Sequence, residues 1–269
     1  MRRIGFVGAG NMGGAILRGI IGVGYVHPSQ VYVCDKNEER LSELAAEFAG
    51  ISFMSSCAEL AEQCDMLILA VKPYQIADVL SEAENMLDGT AVISIAAGWT
   101  VDMLAKALED TGATWLRVMP NTPALVGEGM TAICNDTNFS KEDFAFAKGL
   151  FDAVGRTVVL PEKQFDGVIA ISGSSPAYVF MMIEAMADAG VREGIPRKTA
   201  YDMAAQAVLG SALMVLQSGD HPGALKDNVC SPGGTTIEAV AALERTGFRA
   251  SVMTAMEACA EKSRNMSKQ

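Results

Sequence analysis

The feature that most constrains this chain is a glycine-rich turn near its start. The turn Gly8-Ala9-Gly10-Asn11-Met12-Gly13 follows a short apolar run, Arg3–Val7, and precedes an apolar helical pattern. Strand, G-x-G-x-x-G turn and helix in this order open a βαβ unit that binds a dinucleotide. Gly8 permits the tight turn, Gly10 lets the backbone approach a pyrophosphate, and Gly13 lets the helix pack on its strand. The N–H groups at the start of that helix face the anion.

The alternation of strand and helix patterns continues to about residue 160. Short β-branched runs predict strands at Arg3–Val7, Gln30–Cys34, Ile51–Met54, Met66–Val71, Ala91–Ile95, Thr114–Val118, Thr131–Cys134 and Thr157–Val159. Strands that alternate with amphipathic helices are typical of a parallel sheet with right-handed crossovers. We therefore predict a Rossmann dinucleotide-binding domain over residues 1–161, in an α/β class.

After Pro161 the pattern becomes helical to the end of the chain. Helices are predicted at 176–189, 196–217, 222–229, 235–245 and 248–264. The first of them is apolar on nearly every face, from Tyr178 to Met186. A domain of this size cannot easily bury such a helix alone, and obligate homodimer interfaces resemble a core cut in half. We predict an all-α domain over 162–269 that forms at least a homodimer.

Composition excludes several classes of partner. The formal net charge is −11 at pH 7, which opposes binding to nucleic acid or to an anionic membrane surface. The six cysteines have no C-x-x-C spacing and there are two histidines, so no metal site is predicted. Charged residues interrupt the apolar runs before the length of a membrane span, and no signal peptide is recognised. We expect free thiols in a cytoplasmic protein.

Residues after the second predicted strand bear on the choice of cofactor. Asp35 ends that strand, about 20 residues beyond the glycine turn, where an acidic side chain accepts from a ribose 2′-hydroxyl. This position favours NADH. Lys36 and Arg40 lie beside it and could instead bind the 2′-phosphate of NADPH. Both NADH and NADPH therefore remain candidate cofactors.

A second glycine-rich segment, Ser231-Pro232-Gly233-Gly234-Thr235-Thr236, precedes the fourth predicted helix of the second half. Thr235 and Glu238 have the spacing of a capping box, which predicts the helix start and leaves the Thr236 hydroxyl free. Gly233 and Gly234 permit unusual backbone angles, so nearby N–H groups can converge on a carboxylate. A helix N-terminus can hold that anion without a basic side chain.

Further segments point to a family. These are Ala70-Val71-Lys72-Pro73, Met119-Pro120-Asn121-Thr122-Pro123, Ser172-Gly173-Ser174-Ser175-Pro176-Ala177-Tyr178 and Asp227-Asn228-Val229-Cys230, which leads into the second glycine segment. With the first glycine turn, the chain resembles the pyrroline-5-carboxylate reductase family over nearly its whole length. The Ser-Pro-Gly-Gly-x-Thr segment is the most specific part, because many unrelated dehydrogenases share the glycine turn. Ser175 stands where the family usually has a second glycine, and Cys57 where relatives often carry an asparagine near the adenosine ribose.

The resemblance implies a function and a set of site residues. It implies hydride transfer from NAD(P)H to 1-pyrroline-5-carboxylate, the last step of proline biosynthesis, in a dimer or a decamer of five dimers whose substrate site uses both subunits. Thr236 is implied as the catalytic donor to the ring nitrogen. Substrate contacts are expected from Ser231, Gly233, Gly234, Thr235 and Thr236. Cofactor contacts are expected from Gly8, Gly10, Asn11, Met12, Gly13, Asp35, Lys36, Cys57, Val71, Lys72, Pro73, Ala97, Gly98 and Asn121, although Lys72 reads equally well as a solvated lysine.

Two other functions compete with this one. A 2-hydroxyacid or 3-hydroxyacid dehydrogenase also has a strand-rich first half and a helical second half. Such an enzyme needs a lysine or histidine base, and no glycine-rich segment of the helical half carries one. A nucleotide-binding redox sensor without turnover is the alternative outside enzymes, since a fold alone does not establish activity.

Overall fold

The computed structural model describes residues 2–266. Within that range the strands form one eight-stranded sheet with the order β3-β2-β1-β4-β5-β6-β7-β8. Their bounds are Ile4–Val7 (β1), Val31–Cys34 (β2), Ser52–Phe53 (β3), Met66–Leu69 (β4), Ala91–Ser94 (β5), Thr114–Met119 (β6), Gly129–Cys134 (β7) and Gly155–Leu160 (β8). All eight predicted strands are confirmed, with ends shifted by at most two residues.

The order of the strands defines a doubly wound sheet. β1 pairs with β2 on one side and with β4 on the other, both in parallel. The chain therefore reverses its direction of winding between β1 and β4. In open α/β sheets, a ligand binds in the crevice at the carboxyl ends of the strands at such a switch point.

One pair of strands departs from the predicted parallel sheet. β7 runs antiparallel to β6, with Val118 opposite Ile133, while β8 is again parallel to β7. The connection from β6 to β7 is a single 3₁₀ turn, Thr122–Val126. A connection of this length can reverse the chain, whereas a parallel pair requires a longer crossover. The expectation of an all-parallel sheet was therefore wrong at this edge.

Helices cover both faces of the sheet. In chain order they are Asn11–Gly22 (α1), Glu38–Glu47 (α2), Cys57–Gln63 (α3), Ile76–Ala83 (α4), Val101–Ala107 (α5) and Lys141–Asp152 (α6). Successive side chains of a strand point to opposite faces. Accordingly Met66 and Ile68 of β4 pack in one core cluster, whereas Leu67 and Leu69 pack in the other. This burial on both faces explains why the strands are apolar without alternation.

The second half is helical, as predicted. Its helices are Phe165–Val168 (α7), Ser175–Arg192 (α8), Arg197–Ser218 (α9), Pro222–Val229 (α10), Thr235–Arg245 (α11) and Phe248–Met266 (α12). A π-helical segment, Ile169–Gly173, joins α7 to α8. The predicted helix start near residue 176 is confirmed within one residue, but the helical stretch before it, from Phe165 to Gly173, was not predicted. The Ser174 hydroxyl accepts from the Cys259 thiol at 3.2 Å.

The described chain divides into two compact units. The Rossmann unit consists of the residues up to Ser174 and those from Cys259 onward, and the helical unit is Ser175–Ala258. Residues 162–174 thus pack with the sheet although they are helical. The domain boundary predicted between residues 161 and 162 lies just after the last strand, which ends at Leu160. The division of the chain into a cofactor domain and a substrate domain at this point stays a prediction. Residues 267–269 of the predicted second domain lie outside the described residues.

The helical unit has a highly apolar, exposed surface. Phe180 is 64% exposed, Met181 69% and Leu216 56%. On length and composition alone, two helical stretches, Glu162–Arg192 and Arg197–Ser218, are apolar enough to cross a membrane. The apolar helical stretch is longer than the positions of its charged residues predict, since it starts at Glu162.

Candidate active site

The first glycine turn has the geometry that its sequence predicts. Gly8 has φ +96°, and a Cβ there would lie 2.8 Å from the Ala70 carbonyl oxygen. A Cβ on Gly13 would lie 2.3 Å from the Gly8 carbonyl oxygen, so any side chain would push α1 away from the turn. Gly10 is the N-cap of α1 and no side chain caps that helix within the described chain. The first-turn N–H groups of α1 are therefore available to an anion.

A cavity of about 880 Å³ lies beside this turn, within the Rossmann unit. It follows the carboxyl ends of β1, β2, β4, β5 and β6, which is the crevice expected at the switch point. Twelve of the fourteen predicted cofactor residues line it: Gly8, Gly10, Asn11, Met12, Asp35, Lys36, Cys57, Val71, Lys72, Pro73, Ala97 and Asn121. The size, the open helix start and the glycine cradle fit a bound dinucleotide. Their individual contacts to a cofactor stay predictions.

Gly13 and Gly98 are the two predicted residues that do not line this cavity. Gly13 acts through packing, as its contact with Gly8 shows. Gly98 has φ +86°, and a Cβ there would lie 3.6 Å from Met266. Its place is in the turn after β5, where a left-handed conformation favours glycine. The direct cofactor contact expected of Gly98 therefore stays a prediction.

Asp35 has a role in the turn that the sequence did not predict. One carboxylate oxygen accepts from the Ala9 amide at 2.6 Å, and the other accepts from the Asn37 amide at 2.8 Å. The side chain thus ties the end of β2 to the glycine turn. Each oxygen keeps a second acceptor site, so this role is compatible with a bond to a ribose hydroxyl.

Two cations flank Asp35. Lys36 and Arg40 both line the large cavity. The Arg40 guanidinium lies over the turn, with its Nη1 atom 3.1 Å from the position of a Cβ on Gly10 and 3.4 Å from the Ala9 carbonyl oxygen. Arg40 also lines a second cavity of about 390 Å³, together with Arg18. This arrangement places positive charge beside the glycine turn, and the contact of Lys36 and Arg40 with a ribose 2′-phosphate stays a prediction.

The loop after β4 is held from two directions. Lys72 is exposed, and its amide donates to the Gln75 side chain at 3.1 Å. The Trp99 indole N–H donates to the Pro73 carbonyl at 2.8 Å. The loop is therefore fixed by backbone contacts, while the Lys72 ammonium group faces solvent at the cavity.

Cys57 lies at the opposite rim of the cavity, at the start of α3. Burial, with the nearby Glu82 carboxylate, raises the pKa of the Cys57 thiol to about 12. The thiol is therefore neutral and unreactive at physiological pH. Its amide donates to Glu82 at 3.1 Å. Glu82 lines the cavity too, and sequence reasoning missed it because a lone glutamate on a helix usually reads as solvated.

The second glycine segment lies in the helical unit and begins α11. Gly234, not Thr235, is the N-cap, and no side-chain hydroxyl caps this helix in the described structure. The predicted capping box of Thr235 and Glu238 was therefore wrong, because α11 starts one residue earlier than that motif requires. Gly233 has φ +67°, and the Gly234 amide donates to the Ser231 carbonyl at 3.0 Å. This tight turn leaves the amides of Thr235 and Thr236 in the unsatisfied first turn of the helix.

The hydroxyls around this turn differ in exposure. Thr235 and Ser231 are exposed, whereas Thr236 is half-buried. A Cβ on Gly234 would lie 2.3 Å from the Ser231 hydroxyl, so a side chain there would displace that hydroxyl from the turn. Within residues 2–266, the structure gives neither threonine hydroxyl a hydrogen bond. Both are therefore available as donors to a ligand held at the start of α11.

The doubly wound sheet, its glycine turn and the adjoining cavity define an NAD(P)-dependent oxidoreductase with a helical second unit. The chain is 51% identical to pyrroline-5-carboxylate reductase of Escherichia coli (strain K12) over 268 residues, which cover 99% of each chain. It therefore belongs to the pyrroline-5-carboxylate reductase family. A relative of the same name in Methanosarcina acetivorans is 44% identical, over 99% of this chain and 98% of its own length.

Two family models match the two halves of the chain separately, and a solved structure matches nearly the whole chain. The family model described as pyrroline-5-carboxylate reductase dimerisation matches residues 162–266, and the one described as NADP oxidoreductase coenzyme F420-dependent matches residues 3–98. The crystal structure of Plasmodium falciparum pyrroline carboxylate reductase with NADP bound has a TM-score of 0.90 at 34% identity, covering 99% of this chain and 98% of that one. The predicted fold class, Rossmann domain followed by a helical dimerisation domain, is confirmed.

Proposed function

We infer that this protein reduces 1-pyrroline-5-carboxylate to L-proline with NAD(P)H. The observation that carries the inference is the pair of glycine-rich helix starts, one at α1 and one at α11, both without a side-chain cap in the described structure. The first suits a dinucleotide phosphate and the second suits a small carboxylate. The chain is also similar over nearly its full length to proteins named pyrroline-5-carboxylate reductase, at 51% and 44% identity, which supports the same conclusion.

We propose that the turn before α11 binds the carboxylate of the substrate. The amides of Gly233, Thr235 and Thr236 surround the start of the helix, where the dipole favours negative charge. The net charge of −11 makes such a local site necessary, because the protein as a whole repels anions. The Ser231 hydroxyl lies against the same turn and supplies a further donor.

Thr236 is the proposed donor to the ring nitrogen of the substrate. Its hydroxyl has no partner within the described residues, and its half-burial strengthens any hydrogen bond it makes. When bound, the reduced nicotinamide supplies the hydride that adds to the imine carbon. The ring nitrogen must then be protonated or hydrogen-bonded, since charge on it changes as the carbon–nitrogen double bond becomes single. A threonine hydroxyl is a weak acid, so its role is to orient the protonated imine.

The Rossmann unit would hold the cofactor by three features. The first-turn amides of α1 face the pyrophosphate, Asp35 accepts from the adenosine ribose, and Lys36 with Arg40 attracts a 2′-phosphate. Opposite charges at one site make both NADH and NADPH usable. The ends of β5 and β6 then border the nicotinamide half of the cavity.

We propose that a second copy of the chain covers the exposed apolar helices. The dimerisation model matches the residues that carry them, so protein contact accounts for their apolar surface without lipid. The resemblance implies that helical segments of both subunits build the substrate site and that five dimers can join as a decamer. All six cysteines in the described chain are free, which supports a cytoplasmic location.

The test is a spectrophotometric assay of NADPH and NADH oxidation. We expect turnover with 1-pyrroline-5-carboxylate and none with 2-oxo or 3-oxo acids, because the segment Ser231–Thr236 contains no lysine or histidine base. Oxidation with an oxo acid, but not with the cyclic imine, would assign the hydroxyacid dehydrogenase reaction. Binding of NADPH without turnover of either substrate would indicate a sensor.

A further inference from the structure

The helical stretch from residue 162 to 192 contains a local irregularity beside the cofactor cavity. Residues Ile169–Gly173 form a π-helical segment, and the Ser174 amide donates to the Ile169 carbonyl at 2.8 Å across five residues. Such segments are less favourable than α-helix and are found frequently at functional sites. Gly173, the last residue of the segment, lines the cavity.

The carbonyl of Ser172 in this segment has an unusual hydrogen-bond donor. In an α-helix it would accept from the amide four residues on, but residue 176 is proline and has no N–H group. Its donor is instead the side-chain amide of Asn121, at 3.0 Å. Ser172 is half-buried, and a carbonyl shielded from water is costly without a donor, so the bond from Asn121 stabilises the irregular segment at this position.

Asn121 is also bonded on its other side. Its side-chain oxygen accepts from the Met130 amide at 2.8 Å. The residue is 7% exposed and follows the end of β6, while Met130 lies in β7. One side chain thus joins β6, β7 and the π-helical segment, and one donor and one acceptor group of its amide are occupied by backbone.

The wall that this junction supports belongs to the cavity. Met119, Pro120 and Gly173 line it, and a Cβ on Gly173 would lie 3.1 Å from the terminal methyl of Met119. Because β6 lies across the switch point from β2, this wall is on the nicotinamide side. A shift of the π-helical segment would therefore change the space for the reacting ring and leave the adenosine end unchanged.

We propose that Asn121 is a positioning residue for hydride transfer, which acts by holding the π-helical segment against the end of β6. This proposal rests on the proposed function, because it concerns the cavity assigned to the cofactor. It differs from the expectation of a direct cofactor contact at Asn121. A residue that contacts the cofactor affects its binding, whereas a positioning residue affects kcat.

The test is the variant Asn121→Asp. The introduced carboxyl keeps an oxygen for the Met130 amide, but when ionised it faces the Ser172 carbonyl as a second acceptor. We expect kcat at pH 8 to fall at least about tenfold, since displacement of a positioned group by about 1 Å can cost 100-fold. The dissociation constant for NADPH, measured by fluorescence titration, should stay within about threefold of the parent value.

Lowering the pH should restore the variant. The protonated carboxyl can donate to the Ser172 carbonyl as the amide does, and burial favours the neutral form. The ratio of variant to parent kcat should therefore rise as the pH falls. Asn85→Asp, at an exposed asparagine, is the matched control and should follow the parent at every pH.

Several results would overturn the proposal. These are a kcat equal to that of the parent at pH 8, a loss that does not recover at low pH, or a tenfold rise in the NADPH dissociation constant that accounts for the loss. Asn121→Ser removes both bonds without adding a charge, so it separates the loss of these bonds from the effect of a buried carboxylate. Its kcat should be lower than that of the parent and should not recover at low pH. The parent rate with 1-pyrroline-5-carboxylate tests the proposed function separately from these ratios.

Discussion

The Rossmann unit buries large side chains such as Phe6, Phe151 and Phe165 almost completely, whereas the helical unit buries little. Among the described residues of the helical unit, the buried ones are Ala187, Ala200 and Ala204. Both units have regular secondary structure, but one has a core within the chain and the other presents its apolar residues outward. The difference indicates that the first unit folds around its own sheet and that the second requires a partner surface.

The two units also begin their key helices differently from ordinary surface helices. α2 starts with an Asn37 side chain that accepts from the Arg40 amide, while α1 and α11 start at glycines without a side-chain cap in the described structure. A capped helix satisfies its own first-turn amides, and an uncapped one leaves them for a ligand. α9 also lacks a side-chain cap in the described chain, but its N-cap residue is Pro196, so it is the glycine turn together with the missing cap that marks the two proposed anion sites.

The largest expected effect is on assembly. Phe180→Glu places a charge on the exposed apolar face of α8, and burial of an unpaired charge costs about 3–5 kcal/mol. At 1.4 kcal/mol for each factor of ten, the dimer dissociation constant should rise at least about 100-fold, with a parallel loss of activity. Light scattering measures the mass. Val23→Glu is the matched control, since Val23 is 63% exposed on the Rossmann unit and Phe180 is 64% exposed. A fully active monomer of 28.4 kDa would contradict the proposed interface.

The next effect separates chemistry from architecture at the start of α11. Thr236→Val keeps the shape of the side chain and removes its hydroxyl, so kcat/KM should fall at least about tenfold, because loss of one transition-state donor typically costs 10²–10³ in rate. Thermal stability and NADPH affinity should be nearly unchanged. Thr236→Ser restores a hydroxyl and should recover most of the activity. Equal rates for the valine variant and the parent would move the donor role to Lys72 or a bound water.

A smaller effect is expected on cofactor choice in the Rossmann unit. Asp35→Asn keeps an oxygen for the Ala9 amide and removes the charge that repels a 2′-phosphate. The NADPH/NADH ratio of kcat/KM should rise about tenfold, since charges a few ångströms apart near a surface interact by about 1–4 kcal/mol. Lys36→Gln should shift the ratio the other way. If neither ratio changes, the ribose end of the cofactor does not lie at these residues.

The smallest effect concerns the helix starts themselves. Asn37→Ala removes the cap of α2 and should cost about 1 kcal/mol in the free energy of unfolding. Thr235→Ala should cost no capping energy, because Gly234 occupies the N-cap position of α11. Urea denaturation measures both values. A loss of similar size for Thr235→Ala would show that the capping box forms after all.

Local sequence patterns determined most of the Rossmann unit. Three local signals predicted the glycine turn, the eight strands and the approximate limits of the helices. They are the spacing of apolar residues, the residues that favour turns and the positions of the glycines, and each acts over a few neighbouring residues. The predicted cofactor residues gather at one cavity because the carboxyl ends of parallel strands share one edge. Neither the acceptor role of Asp35 toward Ala9 nor the position of Glu82 could be predicted, since each joins segments far apart in the sequence.

The tertiary structure alone decided the remaining points, for physical reasons that residue patterns do not encode. The antiparallel pairing of β7 follows from the short turn after Asn121 and from the free edge of β6, which only the assembled sheet provides. In the π-helical segment, Pro176 offers no donor to the Ser172 carbonyl, and Asn121 supplies one from the loop after β6. A single sequence specifies local propensities, but the partner of a carbonyl such as that of Ser172 depends on which distant residue the fold brings within 3.0 Å.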